Sequence, residues 1–295
     1  MKRDHWVLFG QTLLGLAIMV GGFALGYGFK KKQRAPQPPV VTISFLNITD
    51  GDATVVRTPD GHTALIDAGG SQVGTQVVDA LRRLGVHQID LLVLASPCDS
   101  SIGGVPAILA SKLPIRSVWN NSVTTAPDPK ERDQVMADLA RAGIPLRVAH
   151  MNEQTRLGTG QIPFTAIWPP QHGERSKLDA LICRIDFGSQ SCLFLGPLAS
   201  ESEPYLISGA SDKIQADVLQ VTNHGDGQAT EPELLRRVQP SIAVISATQT
   251  AAPAPATVQR LQAAEADVWQ TDQQGTVTVT LATTPGTPGV TGSTL

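Results

Sequence analysis

Residues Phe45–Gly70 read FLNITDGDATVVRTPDGHTALIDAGG. Apolar and β-branched residues gather in short runs, at Ala53–Arg57 and Thr63–Ile66 and, just upstream, at Val40–Phe45. Between them stand Asp50-Gly51-Asp52, Pro59-Asp60-Gly61 and Gly69-Gly70. These residue types turn a chain, because glycine accepts positive φ, proline fixes its own φ, and Asp bonds its neighbouring backbone. The stretch therefore predicts a domain that opens with strands and hairpins.

Working outward, Leu91–Leu94 is a further strand-like run, and later strands are expected at Leu146–Ala149, Phe164–Ile167, Ala180–Asp186, Ser191–Leu195, Asp217–Val221, Ile242–Ser246, Val268–Gln270 and Thr276–Thr280. Helical periodicity falls at Val73–Leu84, Val105–Ala110, Pro129–Ala142, Glu231–Val238 and Thr257–Ala266, with Gly85 and Gly143 placed to end two of these helices. Strands interleaved with helices imply large mixed sheets whose apolar faces the helices cover, an α/β sandwich. The stretch 283–295 is rich in Gly, Pro, Thr and Ser and is expected to be a flexible tail.

The chain has 295 residues, 41% hydrophobic, which suits one sizeable domain plus an appendage. A formal net charge of -3 offers phosphates no general attraction, so nucleic acid is not an expected partner. Cys98, Cys183 and Cys192 are odd in number, lack CxxC spacing and sit in or beside apolar runs, which predicts reduced, mostly buried thiols.

Residues 1–5 form a short polar tail, and from Trp6 to Phe29 no residue is charged. A helix of that length crosses a hydrocarbon core of about 30 Å. The apolar run ends in Lys30, Lys31, Lys32 and Arg34 rather than in a small-residue cleavage site, so the segment reads as a retained single-pass anchor, not a removed leader. Four basic residues after the span outweigh Lys2 and Arg3 before it, which places the following domain in the cytoplasm of a cell with an inner membrane. The same run gives anionic headgroups a secondary attraction. Ala17, Gly21, Ala24 and Gly28 share one helical face, with Gly22 and Gly26 on a neighbouring one. Small residues let a second membrane helix approach closely, although glycine is also simply common in membrane helices. Residues 30–39 then form a basic, proline-rich linker, leaving 40–282 as the domain.

The opening block, together with ALRRLGVHQIDLLVLASPCDSSIGGVPAIL from Ala80, DVLQVTNHGDG from Asp217 and VWQTDQQGTVTV from Val268, resembles the metallo-β-lactamase domain of ComEC-type competence proteins. That domain opens with a segment like FLDVGQGDA, a hairpin and LIDAGG. The resemblance runs from about Val41 to Leu281 and implies a metallo-β-lactamase-like αββα sandwich, here preceded by one transmembrane helix.

In the family the loop after the fourth strand reads T-H-P-D-A-D-H-I-G-G, and its His and Asp side chains hold one or two metal ions. The matching loop here keeps Pro97, Ile102, Gly103 and Gly104 but has Ser96 and Ser101 for the two histidines and Cys98 and Ser100 at the acidic positions around Asp99. Where the family has T-G-D this chain has Leu195-Gly196-Pro197; where it has P-H-H-G-S this chain has Thr222-Asn223-His224-Gly225-Asp226; and its last histidine aligns with Ala252. Zinc takes imidazole, carboxylate or thiolate donors, usually three from protein at a catalytic site, and serine hydroxyls are poor substitutes. Without the ion, no bound water is brought towards a pKa of about 7. The resemblance thus implies a family fold without metal, cofactor or catalytic residues.

Cys98, Asp99 and His224 carry donor atoms and form the one makeshift metal set to weigh. The plainer reading makes Cys98 a small buried residue, Asp99 the cap of the helix beginning near Gly104, His224 a turn residue, Asp67 an acceptor of backbone hydrogen bonds, and Asp52 a turn residue like it. A serine nucleophile at Ser96, Ser100 or Ser101 lacks a G-x-S-x-G elbow, with only His224 as a candidate base. His62, His87, His150 and His172 read as solvated polar residues. Expected partners are the bilayer and other integral membrane subunits, met through both the helix and the domain. The rival readings are a residual metal-dependent hydrolase with an altered ligand set and an accessory in DNA uptake.

Overall fold

Among the described residues fifteen short strands pair into two mixed sheets, each covered on its outer face by helices. The computed structural model describes residues 38–121, 128–172, 180–248 and 252–293. The span expected over 6–29 and its basic flank lie outside the described residues, among which no helix is long and apolar enough to cross a membrane.

The first sheet holds β1 (Val40–Phe45), β2 (Thr54–Arg57), β3 (Thr63–Ile66), β4 (Leu91–Leu94), β5 (Val118–Asn120), β6 (Leu146–Val148), β14 (Thr276–Ala282) and β15 (Gly289–Ser293), in the order β15-β14-β1-β2-β3-β4-β5-β6. The second holds β7 (Gln154–Leu157), β8 (Ile162–Trp168), β9 (Ile182–Phe187), β10 (Gln190–Phe194), β11 (Val218–Gln220), β12 (Ile242–Ile245) and β13 (Asp267–Gln270), in the order β13-β12-β11-β10-β9-β8-β7. Each sheet joins an antiparallel half to a parallel one: β3 to β6 run parallel, as do β10 to β13.

Alternation decides which side chains meet between the sheets. Val41, Ile43 and Phe45 of β1 face Phe164, Cys183, Cys192 and Phe194 of the second sheet. The rings of Phe45 and Phe164 lie 6.4 Å and 6.2 Å from that of Phe194, within the range of tilted and stacked aromatic contact. Outside the first sheet lie α1 (Gly74–Arg83), α2 (Asp99–Ile102), α3 (Val105–Ala110) and α4 (Pro129–Arg141), whose Val77, Leu81, Ile108 and Leu139 pack on Leu65, Leu92 and Val118. Outside the second lie α5 (Glu203–Ala210), α6 (Pro232–Val238) and α7 (Pro255–Ala263), with Leu206, Leu234 and Leu261 on Leu193, Leu219 and Ala243. A short α8 (Thr271–Gln274) precedes β14. This is the αββα layering that the resemblance implies.

Gly85 and Gly143 close α1 and α4 with φ of +69° and +71°, as expected of helix-ending glycines. The three thiols are free, Cys183 and Cys192 buried and Cys98 half-buried.

The expected flexible tail is corrected. Thr276–Thr280 pairs antiparallel with Gly289–Ser293, so the domain runs past 282 as a β14–β15 hairpin. Val290 packs against the inter-sheet core, and the connection is held where Gln190 Nε2 donates to the Gly286 carbonyl at 2.7 Å. Composition alone suggested disorder, because one inward Val and one hydrogen bond from a distant strand are invisible to it. β5, β7 and α5 were also not foreseen, being too short or too weakly patterned to show a period.

Candidate functional site

Parallel strands deliver their following loops to one edge of a sheet. Here the loops after β3, β4, β10, β11 and β12 meet, together with the loop between β1 and β2. The Asp52 N–H donates to the Ser100 carbonyl at 3.1 Å, Ala68 N–H to the Ser101 carbonyl at 2.8 Å, Asn223 N–H to the Gly196 carbonyl at 3.1 Å, and Ala254 N–H to the Gly225 carbonyl at 2.8 Å. The family positions identified in the sequence are thereby brought together, except that Ala252 is exposed.

Glycines make the close approach possible. A Cβ on Gly104 would strike the Ala68 carbonyl, and one on Gly103 would strike the Asp99 carboxylate and the Ser71 N–H. Gly103 and Gly104 are thus required by packing alone, with or without an ion.

Ser96, Asn223 and His224 each use their side-chain polar atoms within the loops. Ser96 is buried and its Oγ accepts from Cys98 N–H at 3.2 Å. Asn223 donates through Nδ2 to the Leu198 carbonyl at 3.0 Å, and Pro197 offers no side-chain donor. His224 lies 2.7 Å through Nδ1 from the Ser246 carbonyl, which makes Nδ1 the protonated nitrogen. Asn223 and His224 both adopt left-handed backbone, φ +45° and +53°, a conformation non-glycine residues hold only when their surroundings impose it.

Behind His224 lies a buried carboxylate assigned in the sequence to turn work. Asp52 is 6% exposed, and its Oδ1 sits 3.7 Å from His224 Nδ1. Burial raises its pKa, while His224 and the Ser246 hydroxyl pull it back. Asp67 is fully buried and accepts from Ala95 N–H at 2.8 Å, as expected. Burial pushes its pKa well above the usual carboxylate range and the Asp52 charge adds to this; the Ala95 N–H and the Ser101 hydroxyl oppose it.

Asp99 does not cap the helix at Gly104. It opens α2, and its Oδ1 accepts instead from Ser71 N–H at 3.0 Å, tying the loop after β4 to that after β3. Its carboxylate bonds Glu131 of α4, whose pKa is pushed up to about 7 by burial and then by Asp99, with Asp128 adding to it. Asp50 and Asp99 both lie against Gly70. A rim of four carboxyl groups, Asp50, Asp99, Asp128 and Glu131, thus borders the loops. Glu131 and Asp128 were missed in the sequence, where nothing ties α4 to the Gly103-Gly104 loop.

A metal of the kind that the family's loops hold does not fit these residues. Among the described residues no three of His, Cys, Asp and Glu are grouped so as to hold an ion, Cys98, Asp99 and His224 included. With Nδ1 of His224 committed to a carbonyl, only Nε2 of that ring has a lone pair to give.

No family model matches the chain. Its sequence is similar to ComE operon protein 3 of Bacillus subtilis (strain 168), 25% identical over 257 residues that cover 80% of this chain and 32% of the relative. The chain therefore spans about a third of that relative's length. Among solved structures it is similar to CmlA, a diiron β-hydroxylase from Streptomyces venezuelae, with a TM-score of 0.54 at 13% identity over 88% of this chain and 55% of the other. It is also similar to YhfI, a metallo-β-lactamase fold protein of Bacillus subtilis, with a TM-score of 0.49 at 11% identity over 78% of this chain and 95% of that one. An eight-stranded and a seven-stranded sheet between helical layers make this a metallo-β-lactamase-like α/β fold, with a sequence similar to that of a ComEC-type competence protein.

Proposed function

We propose that this chain is a non-catalytic, membrane-anchored metallo-β-lactamase-like protein, a structural or accessory subunit that stabilises a larger membrane complex. The observation that carries the reading is His224: the one imidazole left at a family ligand position donates to the Ser246 carbonyl beside Asp52, among serine, proline and asparagine side chains. Such a centre has no means of activating water. Retained Gly103 and Gly104 support a fold kept for its shape. The uncharged run 6–29 and its basic flank support an inner-membrane anchor with a cytoplasmic domain, in contact with other membrane subunits.

The test is purification of the tagged full chain from its native membrane in mild detergent. Stable co-purifying membrane subunits and less than about 0.1 metal ion per chain are expected. Stoichiometric zinc or manganese that disappears on His224→Ala or Cys98→Ser would establish the residual hydrolase instead.

The likeness to ComE operon protein 3 favours one second reading, an accessory in DNA uptake. The carboxyl rim opposes it, since phosphates are repelled by Asp50, Asp99 and Asp128 at the loops. Fluorescence anisotropy with single- and double-stranded DNA at low salt separates the two; tight, salt-sensitive binding would restore the uptake role.

A further inference from the structure

Strand directions in the first sheet fix the end at which the chain enters the domain. β1 pairs antiparallel with β2 and β2 with β3, so β1 runs with β3, and Val40 lies at the end opposite the loops after β3 and β4. Cations collect at that same end. α1 closes on Arg82 and Arg83, and the connections leading into β4 and β5 carry His87, Lys112 and Arg116, all five exposed. Two carboxylates offset them in part. Asp79 pairs with Arg82 at 3.3 Å, and the half-buried Asp90 lies 3.6 Å from Arg116 while accepting from Thr63 N–H at 2.9 Å and the Gln88 amide at 2.7 Å. Among the described residues Arg83 and Lys112 have no ion-pair partner. Arg82, His87 and Lys112, with Val78, Val86 and Leu113, line a groove of about 230 Å³, which has room for a phosphate group.

We propose that this basic face, formed by Arg82, Arg83, His87, Lys112 and Arg116, binds the anionic phospholipid headgroups of the bilayer, an inference that rests on reading residues 6–29 as a membrane anchor. Residues 30–39 span at most about 35 Å when fully extended, so the anchor holds the Val40 end of the domain near the bilayer surface. Attraction to an anionic leaflet fades within a Debye length of about 8–10 Å, and the tether brings the cations towards that range. Guanidinium groups grip phosphate oxygens in pairs, and Lys112 adds a point charge. The opposite end carries Asp50, Asp99 and Asp128, which the same surface repels. Both ends therefore turn the domain the same way, basic face towards the lipid and the loops at family ligand positions away from it. A lipid surface is favoured over nucleic acid because the tether already supplies it at this end.

The experiment measures labelling by a bulky maleimide of the full chain, in a Cys98→Ser background, reconstituted in phosphatidylcholine vesicles with or without about 30% phosphatidylglycerol. Pro114→Cys, beside the groove, is expected to react about ten-fold more slowly when phosphatidylglycerol is present, whereas Gln72→Cys, in the loop after β3, keeps its rate. High salt, or Arg82→Glu with Lys112→Glu and Arg116→Glu, is expected to restore the rate at Pro114→Cys; the salt arm stands even where the triple variant folds poorly. Equal rates in the two lipids, protection that survives high salt, or protection of Gln72→Cys instead would overturn the proposal. Protection in pure phosphatidylcholine by a DNA duplex or by inorganic phosphate would overturn it too, assigning the face to a soluble phosphate. The anchor is tested apart, by flotation with phosphatidylcholine vesicles in carbonate, where a peripheral contact is lost. A chain that fails to float has no anchor, and the basic face then stands or falls on flotation with phosphatidylglycerol at low salt.

Discussion

At the scale of single residues, the centre is governed by carboxyl groups whose environments disfavour charge. Asp67 accepts the Ala95 N–H from full burial, with its pKa raised well above the usual range. A carboxyl group raised in the folded state holds its proton longer there than in the unfolded chain, so its contribution is greatest at low pH and is lost as pH rises. Asp67→Asn, which keeps an acceptor and removes the charge, is expected to flatten the fall of stability as pH rises above the ordinary carboxylate pKa of 3.8, measured by urea unfolding. Asp67→Ala strands the Ala95 N–H and should cost about 1–3 kcal/mol. Glu131 gives a second, separable window: with its pKa at about 7 against an ordinary 4.5, its bond to Asp99 contributes below pH 4.5 and is lost as pH climbs through 7. Glu131→Gln should remove that step from the pH profile of thermal unfolding; an unaltered profile would show that the two carboxyl groups do not share a proton.

Elements are placed by a few polar side chains reaching across sequence. Glu203 opens α5, is 1% exposed, and accepts from Thr230 N–H at 2.7 Å and Glu231 N–H at 2.9 Å at the start of α6. Burial raises its pKa while the two N–H groups oppose the rise. Glu203→Ala would leave two donors at a helix start without a partner, at about 1–3 kcal/mol each, and chemical denaturation should show at least the lower figure. Gly104→Ala drives a methyl group into the Ala68 carbonyl and is expected to cost about 1–3 kcal/mol or more, with hydrogen exchange rising first in the loops after β3 and β4. The loss would appear in metal-free protein, which separates a packing glycine from one kept for an ion.

For the whole molecule, residues 6–29 are expected to carry membrane attachment. Replacing residues 6–29 by a polar linker is expected to move the chain from the membrane pellet to the supernatant after carbonate extraction, with the domain's unfolding midpoint unchanged. Retention in the pellet would assign membrane attachment to the domain itself. The charge distribution is consistent with this division: Lys30, Lys31, Lys32 and Arg34 precede the domain, whereas carboxyl groups border its loops.

Periodicity, turn residues and block order were enough to read the layered α/β architecture, most strand and helix positions and the loop in which Ser96, Cys98, Ser100 and Ser101 stand at family ligand positions. Those features are local, since a side-chain period of two or 3.6 is written into consecutive residues. What only the tertiary structure decided are pairings between residues far apart in the chain. Asp52 meets His224 across 172 positions' worth of intervening fold, at 3.7 Å. Glu131 reaches Asp99 from another helix of the same layer, and Gly289–Ser293 becomes a strand because Val290 finds the inter-sheet core. No spacing encodes such meetings, because they follow from how separately specified elements pack, and there a buried carboxyl group or a glycine-rich tail takes its character from neighbours the sequence does not name.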